Sequence, residues 1–151
     1  MWLMFILTIV FLIIDIVSKL VVSKLMDVYD SIVIIKDFFN ITYVRNTGAA
    51  WSIFEGETLG IIIVSLLIIF FIIYYISKNK PKNKFEIIGY SLILGGALGN
   101  LLDRIIYGYV VDFLDFYIFG YDYPIFNLAD SFIFIGVLIL IICTWRCNDG
   151  D

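Results

Sequence analysis

Leu59-Gly-Ile-Ile-Ile-Val-Ser-Leu-Leu-Ile-Ile-Phe-Phe-Ile-Ile-Tyr-Tyr-Ile76 contains no charged residue, and four lysines follow it at once in Lys78-Asn-Lys-Pro-Lys-Asn-Lys84. At about 1.5 Å per residue, an apolar helix of this length approaches the thickness of a bilayer's hydrocarbon core, roughly 30 Å. Three further apolar segments flank it, at about 2–22, 85–107 and 126–145, each of helix rather than strand length. Hydrophobic residues are 62% of the 151 and charged residues only 16%, where a soluble domain carries roughly a quarter charged. The expected fold is therefore one domain over 1–151: an all-α membrane bundle of four transmembrane helices.

The lysine loop sets the expected orientation. By the positive-inside rule it faces the cytoplasm, which puts both termini there and turns the connectors 23–58 and 108–125 outward. The latter connector has no Lys or Arg. The first apolar segment has no preceding Lys or Arg and no small-residue cleavage site after it, so it is expected to stay in the mature protein. Within 23–58, Ser31 to Arg45 is dense in β-branched and aromatic residues and breaks at Asn46-Thr47-Gly48. It predicts a small extracytoplasmic β-sheet between helices 1 and 2, with a turn at Asn-Thr-Gly.

Composition removes several function classes. A net charge of −4, with the basic residues gathered in one short loop, argues against a nucleic-acid partner. There is no histidine, which excludes Ser-His and Cys-His nucleophiles and the common histidine metal sites. Cys143 and Cys147, the two cysteines, cannot by themselves build a zinc site or a disulfide framework and read as lipid-facing or packing residues.

Polar side chains inside spanning helices cost a few kcal/mol or more each, so each calls for a partner or a task. Gly96, Asn100 and Arg104 fall on one i,i+4 stripe of the third segment, pointing into the bundle. For Asn100 and Arg104 a structural hydrogen-bond pair or a snorkelling arginine is an equal reading. Gly95 and Gly99 form a small-xxx-small pair suited to close helix approach. Asp15 and Lys19, four apart, read as a structural ion pair fixing the outer sheet to the first helix.

Asp112 follows the third segment and Asp130 lies one turn into the fourth, so the two bracket one boundary. Asp115 and Asp122 read as solvated loop acids. Asn127 can cap the fourth helix with Asp130 completing a capping box, and the positive helix end would favour Asp130 as the ionised member of a pair. Two carboxyls held close share a proton, so that one can activate water while the other acts as acid. Such chemistry needs neither metal nor cofactor. Buried carboxylates also serve small proton- or ion-coupled transporters, although no internal repeat of the kind transporters show is visible. A non-catalytic scaffold would need neither aspartate.

Taken together, Asp15-Ile-Val-Ser-Lys19, Asn40 to Phe54 with Asn46, Gly48, Ala49, Ala50 and Trp51, Gly95-Gly-Ala-Leu-Gly-Asn100-Leu-Leu-Asp-Arg104, Gly108-Tyr-Val-Val-Asp112-Phe and Phe126-Asn127-Leu-Ala129-Asp130-Ser resemble the motif set of the lipoprotein signal peptidases (signal peptidase II). The resemblance covers nearly the whole chain. It implies an aspartyl endopeptidase with Asp112 and Asp130 as catalytic dyad, Asn46, Gly48, Asn100, Arg104 and Asn127 lining or bracing the site, and Asp15, Lys19, Gly96 and Ala129 in structural roles. It further implies a diacylglyceryl-modified prolipoprotein as substrate, cut just before its lipobox cysteine, an outer β-cradle, a short helix covering the site, and inhibition by globomycin. The expected setting is the bacterial plasma membrane, with the site toward the extracytoplasmic face, membrane lipid as partner and the protein working as a monomer.

Overall fold

A computed structural model of the chain describes residues 1–48 and 56–148. The motif residues 49–54, with the covering helix expected from that connector, and the side chain of Cys147 lie outside the described residues. The helices are α1 (Trp2–Leu25), α2 (Thr58–Lys78), α3 (Lys84–Tyr107) and α4 (Leu128–Asn148), and all four are long and apolar enough to cross a membrane. Leu, Ile, Phe and Tyr side chains stand exposed along them, as on Phe5, Phe70, Phe71 and Phe134, a surface that only a lipid solvent accommodates.

Helix α3 is the central element, packing on α1, α2 and α4. Its glycines explain why. A Cβ at Gly95 would stand 2.8 Å from Phe11 Cβ and 3.1 Å from the Thr8 carbonyl of α1. One turn on, a Cβ at Gly99 would overlap the Asp15 carboxylate, and on the next stripe a Cβ at Gly96 would overlap the Ala129 carbonyl of α4. The expected close approach at Gly95 and Gly99 is thus present, with α1 as the partner. Asn83 caps the start of α3 by accepting the Glu86 N–H at 2.9 Å. Gly108, at φ 79°, ends α3 in the left-handed region, where a residue without Cβ is strongly preferred, and turns the chain into a strand.

The expected sheet is present and is wider than the first connector. It is antiparallel, in the order β1 (Ser31–Ile35), β2 (Phe39–Asn46), β3 (Val110–Ile118), β4 (Tyr121–Asp122), so the second connector contributes half of the strands. The β1–β2 turn lies at 36–38, with Asp37 at φ 58°, and not at Asn46-Thr47-Gly48, where β2 instead runs out. In the β2–β3 register Val44 faces Asp112 and Asn46 faces Val110. Tyr43, Val111 and Phe113 pack on Val22 and Met26 at the end of α1, which seats the sheet on the bundle.

Candidate active site

The i,i+4 stripes of α3 divide its work. Gly95, Gly99 and Asp103 meet α1, Asp103 also reaching β3, while Gly96 and Asn100 meet α4, Asn100 also reaching Lys19 of α1, and Arg104 meets the end of β2. Strand β3 brings in Asp112, only 3% exposed. Its Oδ2 accepts Asn46 Nδ2 at 2.9 Å and its Oδ1 accepts Asn127 Nδ2 at 2.7 Å. Burial, followed by the neighbouring charge of Asp130, pushes the Asp112 carboxyl up to about 7, against the two amide donors and the positive charge of Lys19.

Asp130 arrives from the first turn of α4. Its N–H donates to Asn127 Oδ1 at 3.0 Å while the Asn127 N–H donates to its Oδ2 at 3.2 Å, the reciprocal pattern of a capping box. Its Oδ1 accepts Asn100 Nδ2 at 2.8 Å. Asp130 therefore caps α4 and meets Asn100 at the same time. The Asn127 amide also donates to Asn100 Oδ1 at 3.1 Å, so one continuous chain of amides joins the two carboxyls.

Both aspartates line a single cavity of about 1120 Å³, shared with Asn46, Asn100 and Arg104 at the polar end and continuing along α4 past Ile133 and Phe134. Arg104 does not snorkel. Its Nη2 donates to the Gly48 carbonyl at 2.8 Å and its Nη1 to the Asn100 carbonyl at 3.3 Å, while the Gly48 N–H donates to Asn46 Oδ1 at 2.9 Å. The end of β2 is thereby tied to α3, with the Asn46 amide nitrogen left free to meet Asp112. The cavity thus joins two carboxyls and several amides at one end to an apolar flank at the other, a combination suited to acid–base chemistry on an amphipathic ligand.

Asp15 and Lys19 pair at 2.8 Å and are both buried, yet they do not tie the sheet to α1 directly. Asp15 Oδ1 accepts the Ala129 N–H at 3.0 Å, which fixes the start of α4, and Lys19 reaches Asp103 at 3.1 Å and Asn100 Oδ1 at 2.9 Å. The sheet is joined one step further on, where Asp103 Oδ2 accepts the Val111 N–H at 3.2 Å. Sequence reasoning passed over Asp103. The Gly95–Gly99 stripe, carried on by four residues, lands on it and would have found it. Asp115 corrects the loop-acid reading, for it is buried in β3 and accepts Thr42 Oγ1 at 2.6 Å and Asn40 Nδ2 at 3.3 Å. Asp122 is exposed in β4, as expected.

Comparison with known proteins places these features in a group. The family model described as Signal peptidase (SPase) II matches residues 7–146. Lipoprotein signal peptidases of Staphylococcus aureus strains JH9 and Newman are each 46% identical over 128 residues, covering 85% of this chain and 78% of theirs. Two solved structures, each titled as a bacterial membrane enzyme determined by the in meso method, superpose closely. One has a TM-score of 0.90 at 39% identity, over 98% of this chain and 90% of its own. The other has a TM-score of 0.84 at 41% identity, over 93% and 91%.

Proposed function

The chain belongs to the signal peptidase II family, and from that premise we propose that it removes signal peptides from prolipoproteins as an aspartyl endopeptidase with Asp112 and Asp130 as its catalytic pair. Its peptidase activity follows from the family itself. The observation that carries the dyad is the shared cavity, in which each carboxyl is held by side-chain amides and Asp112 is pushed up to about 7. Such a value leaves a substantial fraction of Asp112 protonated near neutral pH, while the positive end of α4 favours charge on Asp130.

The pair then works as a unit sharing one proton. Asp130 takes a proton from a water molecule as the water oxygen attacks the scissile carbonyl carbon, and Asp112 gives its proton to the carbonyl oxygen. In the second step the proton on Asp130 passes to the amide nitrogen, Asp112 recovers a proton from the diol, and the C–N bond breaks. A new carboxyl end and an amine are released, and the dyad returns to its starting state. No metal or cofactor takes part.

The substrate is a diacylglyceryl-modified prolipoprotein cut before its lipobox cysteine, its acyl chains lying along the apolar side of α4 near Ile133 and Phe134 while its peptide reaches the dyad. The lysine loop lies in the cytoplasm by the positive-inside rule, which turns the site to the extracytoplasmic face of the bacterial plasma membrane. Both carboxyls and their amide partners come from one chain, so a monomer suffices for this chemistry.

The test is cleavage of a diacylglyceryl-modified prolipoprotein by purified protein with a metal chelator present, beside Asp112→Asn and Asp130→Asn. Chelator-resistant cleavage, lost in both variants while they remain folded, is expected. Full activity in either variant overturns the dyad.

A further inference from the structure

Lys19 belongs to the polar network yet is absent from the chemistry above. It comes from α1, is 3% exposed, and its ammonium meets Asp15 Oδ2 at 2.8 Å, Asp103 Oδ2 at 3.1 Å and Asn100 Oδ1 at 2.9 Å. The ammonium only donates: it hydrogen-bonds the Asn100 oxygen, and the two carboxylate oxygens pair with its charge. Two carboxylates would suffice for an ion pair. The third partner, an amide in direct contact with Asp130, is what a purely structural pair does not require.

The two ends of an asparagine amide are nearly the same shape, and the hydrogen-bond partners decide which way it faces. Here the Asn100 oxygen is held by Lys19 and by Asn127 Nδ2, which leaves the Asn100 NH2 to donate to Asp130 Oδ1 at 2.8 Å. Reversed, the amide would set its NH2 against the ammonium and its oxygen against the Asp130 carboxylate. Lys19 tolerates one orientation only.

We propose that Lys19 is a positioning residue for the peptidase reaction, locking the Asn100 amide from α1 so that its NH2 supports the charged form of Asp130. The inference rests on Asp112 and Asp130 being the catalytic pair. Among the described residues, the charged groups facing Asp130 are Lys19 from α1, Arg104 from α3 and Asp112 from β3; Asp15 and Asp103 pair with Lys19. Lys19 itself does not line the cavity, and loss of the lock removes a hydrogen bond from the base, so its main effect is on kcat and on the acid side of the pH profile.

The test is Lys19→Met combined with Asp103→Asn, which removes the ammonium together with one carboxylate and leaves the charge of the buried cluster unchanged. Folding is followed by thermal unfolding in detergent, and cleavage across pH is compared with wild type and Asp130→Asn. The expected result is a folded protein with kcat down about tenfold or more, KM little changed, and the acid limb of the kcat profile moved to higher pH. Lys19→Arg, whose guanidinium also only donates, should hold the limb near its wild-type position and keep most of the kcat lost in the double variant. A folded double variant with unchanged kcat and limb overturns the proposal. If the double variant does not fold, Lys19→Arg decides: a limb in the wild-type position supports the lock, and a displaced one overturns it. Activity persisting in Asp130→Asn would instead fault the dyad.

Discussion

Asn127 and Asp130 hold each other in both directions, the Asp130 N–H donating to Asn127 Oδ1 and the Asn127 N–H to Asp130 Oδ2. Because Asn127 Nδ2 also donates to Asp112 at 2.7 Å, one buried side chain is both the cap of α4 and the brace between the two carboxyls. Helix geometry and site geometry are therefore coupled at this point.

Replacing Asn127 by Ala should remove both functions. The missing cap costs about 1 kcal/mol, and the kcat for prolipoprotein cleavage should fall about a hundredfold as Asp112 and Asp130 lose their common support. Asn127→Asp separates the two effects. Its side-chain oxygen still caps Asp130, so thermal unfolding in detergent should stay closer to wild type than in Asn127→Ala, while the lost NH2 and an added acid beside the proposed dyad should abolish cleavage. Wild-type cleavage by a folded Asn127→Asp would show that the amide donor to Asp112 is dispensable.

Asp112 makes stability depend on pH. Its carboxyl lies at about 7 in the fold against an ordinary 3.8, so between these values the folded protein binds more protons than the unfolded chain. Stability then falls as pH rises through that window and levels off above it. Unfolding measured in detergent should be easier near pH ~8 than near pH ~5 for wild type, and the part of this slope due to Asp112 should vanish in Asp112→Asn. Activity should follow the same proton, with kcat/KM declining as pH rises above about 7 and Asp112 loses its acid form. A rate that keeps climbing through neutral pH would assign the acid elsewhere.

The helices were legible because lipid imposes length and composition on each span independently of what it packs against, and all four expected segments correspond to helices. The site was legible where one element carries its own spacing, as in the Gly96-Asn100-Arg104 stripe and the Asn127–Asp130 cap. What the sequence hid were partnerships across strands. The burial of Asp115 depends on Thr42 and Asn40 in a neighbouring strand, and that β2–β3 pairing joins residues some seventy positions apart. An alternating strand pattern shows that a strand exists, whereas its partner is set by where α3 delivers the chain after Gly108. The same holds for Lys19, whose second and third oxygens come from α3 and cannot be read from the Asp15–Lys19 spacing alone.

Two glycines in different helices give a controlled test of the packing behind the site. At Gly96 an added methyl would overlap the Ala129 carbonyl and stand 3.0 Å from Ile133 Cγ1. The first of these is backbone and cannot rotate aside, so α4 must move away at the residue preceding Asp130. Gly96→Ala should therefore destabilise the protein by about 1–3 kcal/mol and lower kcat by displacing Asp130 from Asn100. At Gly60 on α2 no atom of the described residues, the helix's own backbone apart, lies within 4 Å of the added position, and alanine is the better helix former by up to about 1 kcal/mol. Gly60→Ala should unfold at the same or a higher temperature in detergent and cleave at the wild-type rate. If the two variants behave alike in both measurements, the contact between α3 and α4 is looser than the Gly96–Ala129 approach requires, and Asp130 owes its position to the hydrogen bonds of Asn100 and Asn127 alone.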